Sequence, residues 1–299
     1  LTAMSYHYWS QPLPHFISYF ADKLPLFVHK LSAVLMFIIE LVLPFFIFFS
    51  AYTRRIAGMA FIALMALILF TGNYNFFNLL VITACLFLFS ESLFKRFYSE
   101  SSPNQPNTIT RYWQQAASYI AILLLFFGLC FDLARFQPSH TLQQWGIRLY
   151  KPISGFHVVN RYGLFATMTT DRKEIIVLGS LDNKHWKPYT FKYKAHSEFD
   201  RPKWASPHQA RLDWQLWFLA LRPYSERSWA NALMQRLLEK DPHVEALFES
   251  VPFENGPKFI KLVSRKARFS SYSELSHSKK WWLFGPERAY SPSFVLNRF

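Results

Sequence analysis

The chain has 299 residues, 51% of them hydrophobic and 19% aromatic, with a formal net charge of +14. That length suffices for two units of ordinary domain size. The charge is divided very unevenly: residues 1–136 carry only +3 and residues 137–299 carry +11. Basic residues interleaved with Trp, Tyr and Phe are a pattern some RNA binders share. No nucleic-acid motif accompanies it here, and a basic surface close to anionic lipid explains it more simply. The two cysteines, Cys85 and Cys130, both lie in apolar runs with no CxxC neighbour. They read as small packing residues, which excludes a disulfide framework and a thiol redox centre.

The opening segment is rich in aromatic residues, and residue 1 is Leu with no signal peptide before the first apolar run. The expectation is that upstream sequence is missing. Four apolar runs follow, at about 31–51, 56–71, 76–93 and 116–136. Each is apolar all round rather than on one face, as lipid or a buried bundle requires. Together they predict an α-helical multi-pass membrane domain over residues 1–136. Arg54 and Arg55 fall between the first and second runs, and Lys95, Arg96 and Arg111 between the third and fourth. The GNYN link between the second and third carries no charge. Positive charge favours the cytoplasm, so GNYN is expected outside. The fourth span then delivers residues 137–299 to the extracytoplasmic side: periplasm for a bacterial inner membrane, lumen for an endoplasmic reticulum.

Past Phe136 the pattern becomes that of an α+β domain. Residues 156–170 read as a strand. EIIVLGS (174–180) and HWKPYTFKYKA (185–195) read as a hairpin turning at Asp182 and Asn183. In the return strand Tyr189, Phe191 and Tyr193 alternate with Thr190, Lys192 and Lys194, which predicts aromatics toward a core and lysines toward water. Pro188 predicts an edge position. Helices are expected at 212–221, at 226–240 behind a Ser225 cap, and from Pro242 to about Ser250. A last strand covers 258–269. The whole predicts an antiparallel sheet or β-sandwich-like domain with helices at one end.

Two groups of residues stand out as candidate sites. Glu40 sits mid-span, where a charge costs ~2.5–3.5 kcal/mol. Pro44, four residues on, cannot donate to the Glu40 carbonyl and clashes with it. With Asn73 and Asn78 of the next turn, Glu40 is a candidate intramembrane polar site; the plainer reading is a structural carboxyl bonded to another helix. Arg211, Asp213, Trp214 and Trp217 form a candidate client-binding face, since Trp and Arg dominate interface energies. The alternative there is a domain core with a buried Arg–Asp pair. No HExxH pair, zinc-type His/Cys spacing, GxSxG elbow, P-loop or GxGxxG occurs in the chain. No catalytic, metal or cofactor residues are assigned; His7 and His15 read as polar contacts at headgroup level.

The blocks YHYWSQPLP (6–14), FIIELVLPFF (37–46), TGNYNFFN (71–78), NRYGLF (160–165), GSLDNKHW (179–186), FKYKA (191–195) and PHQARLDWQLWFLAL (207–221) together resemble the lipase maturation factor family. They run in order through most of the chain. The segment WWLFGPERAYSPSF (281–294) is similar to the family's tail, with LF where a basic residue is usual. The resemblance implies a multi-pass membrane protein of the endoplasmic reticulum in animals, acting as a chaperone-like factor for secreted lipases, with its C-terminal domain in the lumen. The lack of any N-x-S/T sequon and the compact loops suggest a bacterial member, for which a lipase client is an extrapolation. The membrane half is also similar, more distantly, to the vitamin K-dependent carboxylase superfamily. That keeps an integral-membrane enzyme as the rival reading, without placing any of its residues.

Overall fold

The computed structural model describes residues 1–89, 168–225 and 228–295, with scattered positions between 109 and 155. Contacts gather Leu1–Leu93 with Met168–Phe299 in one compact unit and Phe94–Thr167 in a second. The first unit begins with two short helices, α1 (Met4–Ser10) and α2 (Phe16–Asp22). His15 caps α2: its Nδ1 accepts the Ile17 N–H at 3.1 Å, while Ser18 Oγ accepts the His15 N–H at 3.0 Å. Pro25 then opens α3 (Leu26–Phe37).

The apolar run continues as a π-helical segment, Ile38–Val42, and α4 (Leu43–Phe46). Here the Leu43 N–H reaches back to the Ile38 carbonyl. A π-turn is how a helix absorbs the missing N–H and the ring of Pro44 without breaking. Residues 26–46 thus form one apolar helical run of 21 residues, ~31 Å long at 1.5 Å per residue. A second run of 21 residues, α5 (Ala51–Thr71), follows. Both are long and apolar enough to cross a bilayer, and Phe27, Leu41, Phe45 and Leu67 stand exposed along them.

The first span is therefore displaced from its expected bounds, and the link is residues 47–50. Ser50 sets it: its hydroxyl accepts the Thr53 N–H while Thr53 Oγ1 accepts the Ser50 N–H, a reciprocal cap. Arg54 and Arg55 fall in the first turn of α5 rather than in the link. Helix α6 (Phe77–Cys85) and a 3-10 turn, Leu86–Leu88, return along α5. Ala57 and Gly58 are buried and allow close approach; Phe89 would lie 3.1 Å from a Cβ at Gly58. Asn78 donates to the Met65 carbonyl at 2.8 Å, and Arg54 Nε donates to the Leu88 carbonyl at 3.2 Å. The run Phe77–Leu88 is apolar but shorter than a crossing. Of the four expected spans two are of crossing length; most of 116–136 lies outside the described residues.

The second part of this unit is an antiparallel sheet with helices on one face. Strand β1 (Lys173–Ser180) turns through Asp182 and Asn183 into β2 (Trp186–Pro188). Asp182 Oδ1 accepts the N–H groups of Lys184 and His185, and Asn183 takes the left-handed conformation (φ 60°). The sheet order is β2-β1-β5-β6, so Pro188 does lie on an edge strand. The expected strand at 156–170 falls almost entirely outside the described residues, and 168–170 are not strand. Past Pro188 the chain leaves the sheet. Strand β3 (Thr190–Phe191) pairs instead with β4 (Phe248–Ser250).

Helix α7 (Arg211–Ala220) is close to its expected place, and α8 (Trp229–Leu238) starts behind Ser228 rather than Ser225. The next helix, α9 (Pro242–Glu245), is a single turn capped by Asp241, and the residues expected to extend it are strand β4. Strand β5 (Phe259–Phe269) is the spine of the sheet: it pairs with β1 along its length, and with β6 (Trp282–Phe284), β7 (Arg288–Ala289) and β8 (Phe294–Val295). Helix α10 (Tyr272–Ser278) lies between β5 and β6. Ile175, Val177, Ile260 and Leu262 share one buried core with Leu216 of α7 and Met234 and Leu237 of α8.

Lys194, expected to face water, is buried. Alternation stops with the strand at Phe191, and the ammonium turns inward to Glu174 at 2.8 Å and to the Ile175 carbonyl at 2.9 Å. Arg172 completes the group, its Nε donating to Glu174 at 2.7 Å. Burial alone would raise the Glu174 carboxyl, but the two cations hold it down to about 2. Its ordinary value is 4.5, so the ionised form is favoured in the folded state. The stabilisation is complete above about pH 4.5 and is lost as pH falls toward about 2. Glu174→Gln is expected to cost ~3–5 kcal/mol at neutral pH, by leaving buried cations uncompensated. It should also flatten the fall of the unfolding midpoint in that acid window. The check is tryptophan-monitored urea unfolding of the detergent-solubilised chain from pH 7 to pH 2; an unchanged acid profile in the variant contradicts the assignment.

Candidate functional site

One residue from each group singled out from the sequence, Asn73 and Trp214, meets the other at the seam between the GNYN turn and the sheet domain. Asn73, 2% exposed, uses all four hydrogen-bonding positions of its amide. Its Nδ2 donates to the carbonyls of Leu13 at 2.9 Å and Lys203 at 3.0 Å. Its Oδ1 accepts the N–H groups of Ala205 at 2.8 Å and Ser206 at 3.0 Å. The Asn73 carbonyl accepts the Trp214 indole N–H at 3.1 Å. A single turn residue thereby joins the end of α5, the segment before α2 and the loop before α7.

Trp217 makes the parallel connection, donating its indole N–H to the Ser10 carbonyl at 2.8 Å. Tyr74 stacks on His7 (ring centroids 6.2 Å apart, planes at 4°) and meets Trp214 edge-on at 6.0 Å. Gln11 Nε2 and Ser18 Oγ both donate to the Thr71 carbonyl, at 2.9 and 2.8 Å. They satisfy an end-of-helix acceptor of α5 that would otherwise be orphaned. Gly72 is extended (φ −168°), so its conformation suits any residue. Space is what excludes a side chain: a Cβ would meet Gln11 Oε1 at 2.2 Å and the Tyr74 ring at 2.4 Å.

Arg172 holds the other flank. Its guanidinium, 3% exposed, donates to the carbonyls of Trp9 at 3.3 Å, Pro12 at 3.1 Å and Gln11. It gathers the carbonyls at the end of α1 while Glu174 neutralises it from behind. Tyr19 of α2 is fully buried against Phe269 and Trp281, and its hydroxyl donates to the Ser271 carbonyl at 3.0 Å. Burial lowers both His7 and His15 to about 4, so each is neutral at physiological pH. That suits His15, whose Nδ1 must accept rather than donate.

Arg211 is exposed, while Asp213, Trp214 and Trp217 are buried, so these four do not share one outward face. Asp213 accepts the N–H groups of Tyr193 and Lys194 at 3.0 and 3.1 Å, and burial raises its carboxyl. The intramembrane candidates do not converge either. Asn73 belongs to the seam, Asn78 to the α5–α6 contact, and Glu40 is exposed on the π-turn of an apolar helix with no bond to either among the described residues. Sequence reading missed Arg172, Glu174 and Gln11. The one available signal was Arg172-x-Glu174, a charged pair at the start of a strand whose following residues, Ile175 to Leu178, are apolar.

Nothing in the seam resembles a nucleophile with its base, and no group of three His, Cys, Asp or Glu side chains could hold a metal among the described residues. What the arrangement does is fix the sheet domain to one end of the helices. Asn73→Ala should leave two carbonyls and two N–H groups without partners, at ~1–3 kcal/mol each and less than additively. Asn73→Asp should be no milder, because a carboxylate has no donor for Leu13 and Lys203. Amide hydrogen exchange checks this: protection at residues 8–19 and 203–214 is expected to fall in both variants, while β1 and β5 stay protected. Unchanged exchange in Asn73→Asp contradicts the assigned roles of the amide.

Comparison with known proteins covers the same two parts. Residues 1–96 match the model described as lipase maturation factor transmembrane domain, and residues 158–292 that described as lipase maturation factor C-terminal domain. The chain is similar to lipase maturation factor 2 of Mus musculus, 28% identical over 94% of this chain and 54% of the relative. It is similar also to lipase maturation factor 1 of Homo sapiens, 26% identical over 99% of this chain and 56% of the relative. The chain spans about half the length of the curated relatives it matches. No solved structure matches it. With both family models matched in their proper order across the helices and the sheet domain, the chain belongs to the lipase maturation factor family.

Proposed function

We propose that this protein is a membrane-anchored maturation factor that holds secreted clients, lipases among them, during folding or assembly on the non-cytoplasmic side of the membrane. The names of its relatives supply the client class. The observation that carries the placement is the seam. The sheet domain is bonded to Asn73, at the end of α5 opposite to Arg54 and Arg55. The positive-inside tendency puts the arginines in the cytoplasm. The domain then lies in a periplasm or an endoplasmic reticulum lumen, where secreted lipases fold. In this reading the membrane part extends to about residue 136, with four spans, and the extracytoplasmic domain begins at about 137.

Binding is non-covalent and needs no cofactor. Trp214 and Trp217 act from inside by fixing the domain, and client contact falls to exposed apolar side chains of its surface such as Phe199, Leu221, Leu247 and Tyr272. An enzyme site near Glu40 gains no support from the geometry, since neither Asn73 nor Asn78 turns toward that carboxylate. Crosslinking in intact cells followed by purification of the chain tests the proposal. Secreted lipases are expected among the recovered proteins, at levels reduced several-fold by Phe199→Asp together with Tyr272→Asp. Recovery of cytosolic proteins with no secreted hydrolase overturns it.

A further inference from the structure

An open groove of about 810 Å³ lies between the start of α2 and the loop 196–204. Phe16 and Trp204 line it, with ring centroids 6.5 Å apart. Trp204 also meets Phe70 edge-on at 6.0 Å. Phe70 belongs to the last turn of α5, and both it and Leu67 are more than half exposed on that apolar helix. The groove therefore begins where the surface suited to acyl chains ends, at the level where headgroups lie and where amphipathic aromatics collect.

Its charges are balanced. Arg201 stacks over the Phe16 ring at 4.1 Å and has no carboxylate partner among the described residues. Lys203 is paired with Glu249 at 2.7 Å, and the Asp200 carboxylate is used by the N–H groups of His196 and Ser197. The lining thus offers one guanidinium without a carboxylate partner, a fork suited to a phosphate, beside the half-exposed Glu249 carboxylate, which Lys203 reaches through one of its oxygens. A purely anionic lipid would use only half of it.

We infer that this groove binds the headgroup of a zwitterionic phospholipid from the surrounding bilayer, phosphate on Arg201 and ammonium toward Glu249, with acyl chains running along Leu67 and Phe70. The bound lipid seats the sheet domain on the membrane surface. This site is separate from client binding and stands or falls independently of it.

The test uses the full chain reconstituted in nanodiscs of equal phosphatidylethanolamine and phosphatidylglycerol, released into detergent and weighed intact by native mass spectrometry. One retained phosphatidylethanolamine is expected in excess over phosphatidylglycerol. Arg201→Ala should lower its retention about tenfold, the loss of one charge-assisted phosphate contact. Glu249→Gln should keep the lipid but remove the preference for phosphatidylethanolamine, which separates loss of the site from loss of the fold. Arg222→Ala, outside the groove, should match the parent. Equal retention in the parent and Arg201→Ala overturns the inference, as does preferential retention of phosphatidylglycerol. A fluorescent, extended lipase peptide that binds in an Arg201-dependent way, with lipid retention unchanged, overturns it in favour of a protein segment.

Discussion

The rest of the structure depends on one saturated amide. Asn73 is buried, and its two donor and two acceptor positions are all bonded to backbone, one to Leu13 ahead of α2 and three to residues 203–206 of the loop before α7. Buried polar groups of this kind are costly unless fully partnered, and once fully partnered they specify one arrangement. The neighbouring contacts are alike: the indoles of Trp214 and Trp217, the guanidinium of Arg172 and the amide of Gln11 all bond to backbone carbonyls. Apolar packing alone would let the sheet domain slide over the helix ends. These directional bonds fix where it stands.

That fixed position links the fold to the family's role. Helices 26–46 and 51–71 form an antiparallel pair, so their far ends share one side. The amino-terminal segment and the turn at Asn73 lie at the domain's end; the 47–50 link, Arg54 and the end of the third helix lie at the other. A domain held by buried bonds to the end that carries the GNYN turn needs no further anchor to stay on one side of a bilayer. The groove by Trp204 lies on the same boundary, where the apolar helix surface gives way to polar side chains.

Local chemistry made much of this fold legible. The turn at Asp182–Asn183, the edge position of Pro188, the long strand 259–269 and the helix after Ala210 each follow from signals within a few residues. The resemblance to the family rested on blocks that the two matched models also cover. What was hidden depends on distant partners. Trp214 and Trp217 stand out as aromatic anchors in the sequence, but their acceptors lie 141 and 207 residues away. Lys194 fits an alternating strand until one knows that Glu174 is buried twenty residues earlier. Glu40 and Pro44 did mark an irregular turn, and the structure resolves it as a π-turn on which Glu40 is exposed, while the asparagines bond to backbone elsewhere.

The claim that the sheet domain and the 47–50 link face opposite sides is tested most directly by cysteine accessibility. In a background with Cys85 and Cys130 replaced by alanine, Lys184→Cys sits at the exposed hairpin tip of the domain and Tyr52→Cys beside the link. With a membrane-impermeant maleimide applied to the non-cytoplasmic face, Lys184→Cys is expected to label at once and Tyr52→Cys only after the membrane is permeabilised. Labelling of both from one side, or of Lys184→Cys only from the cytoplasm, would contradict the account.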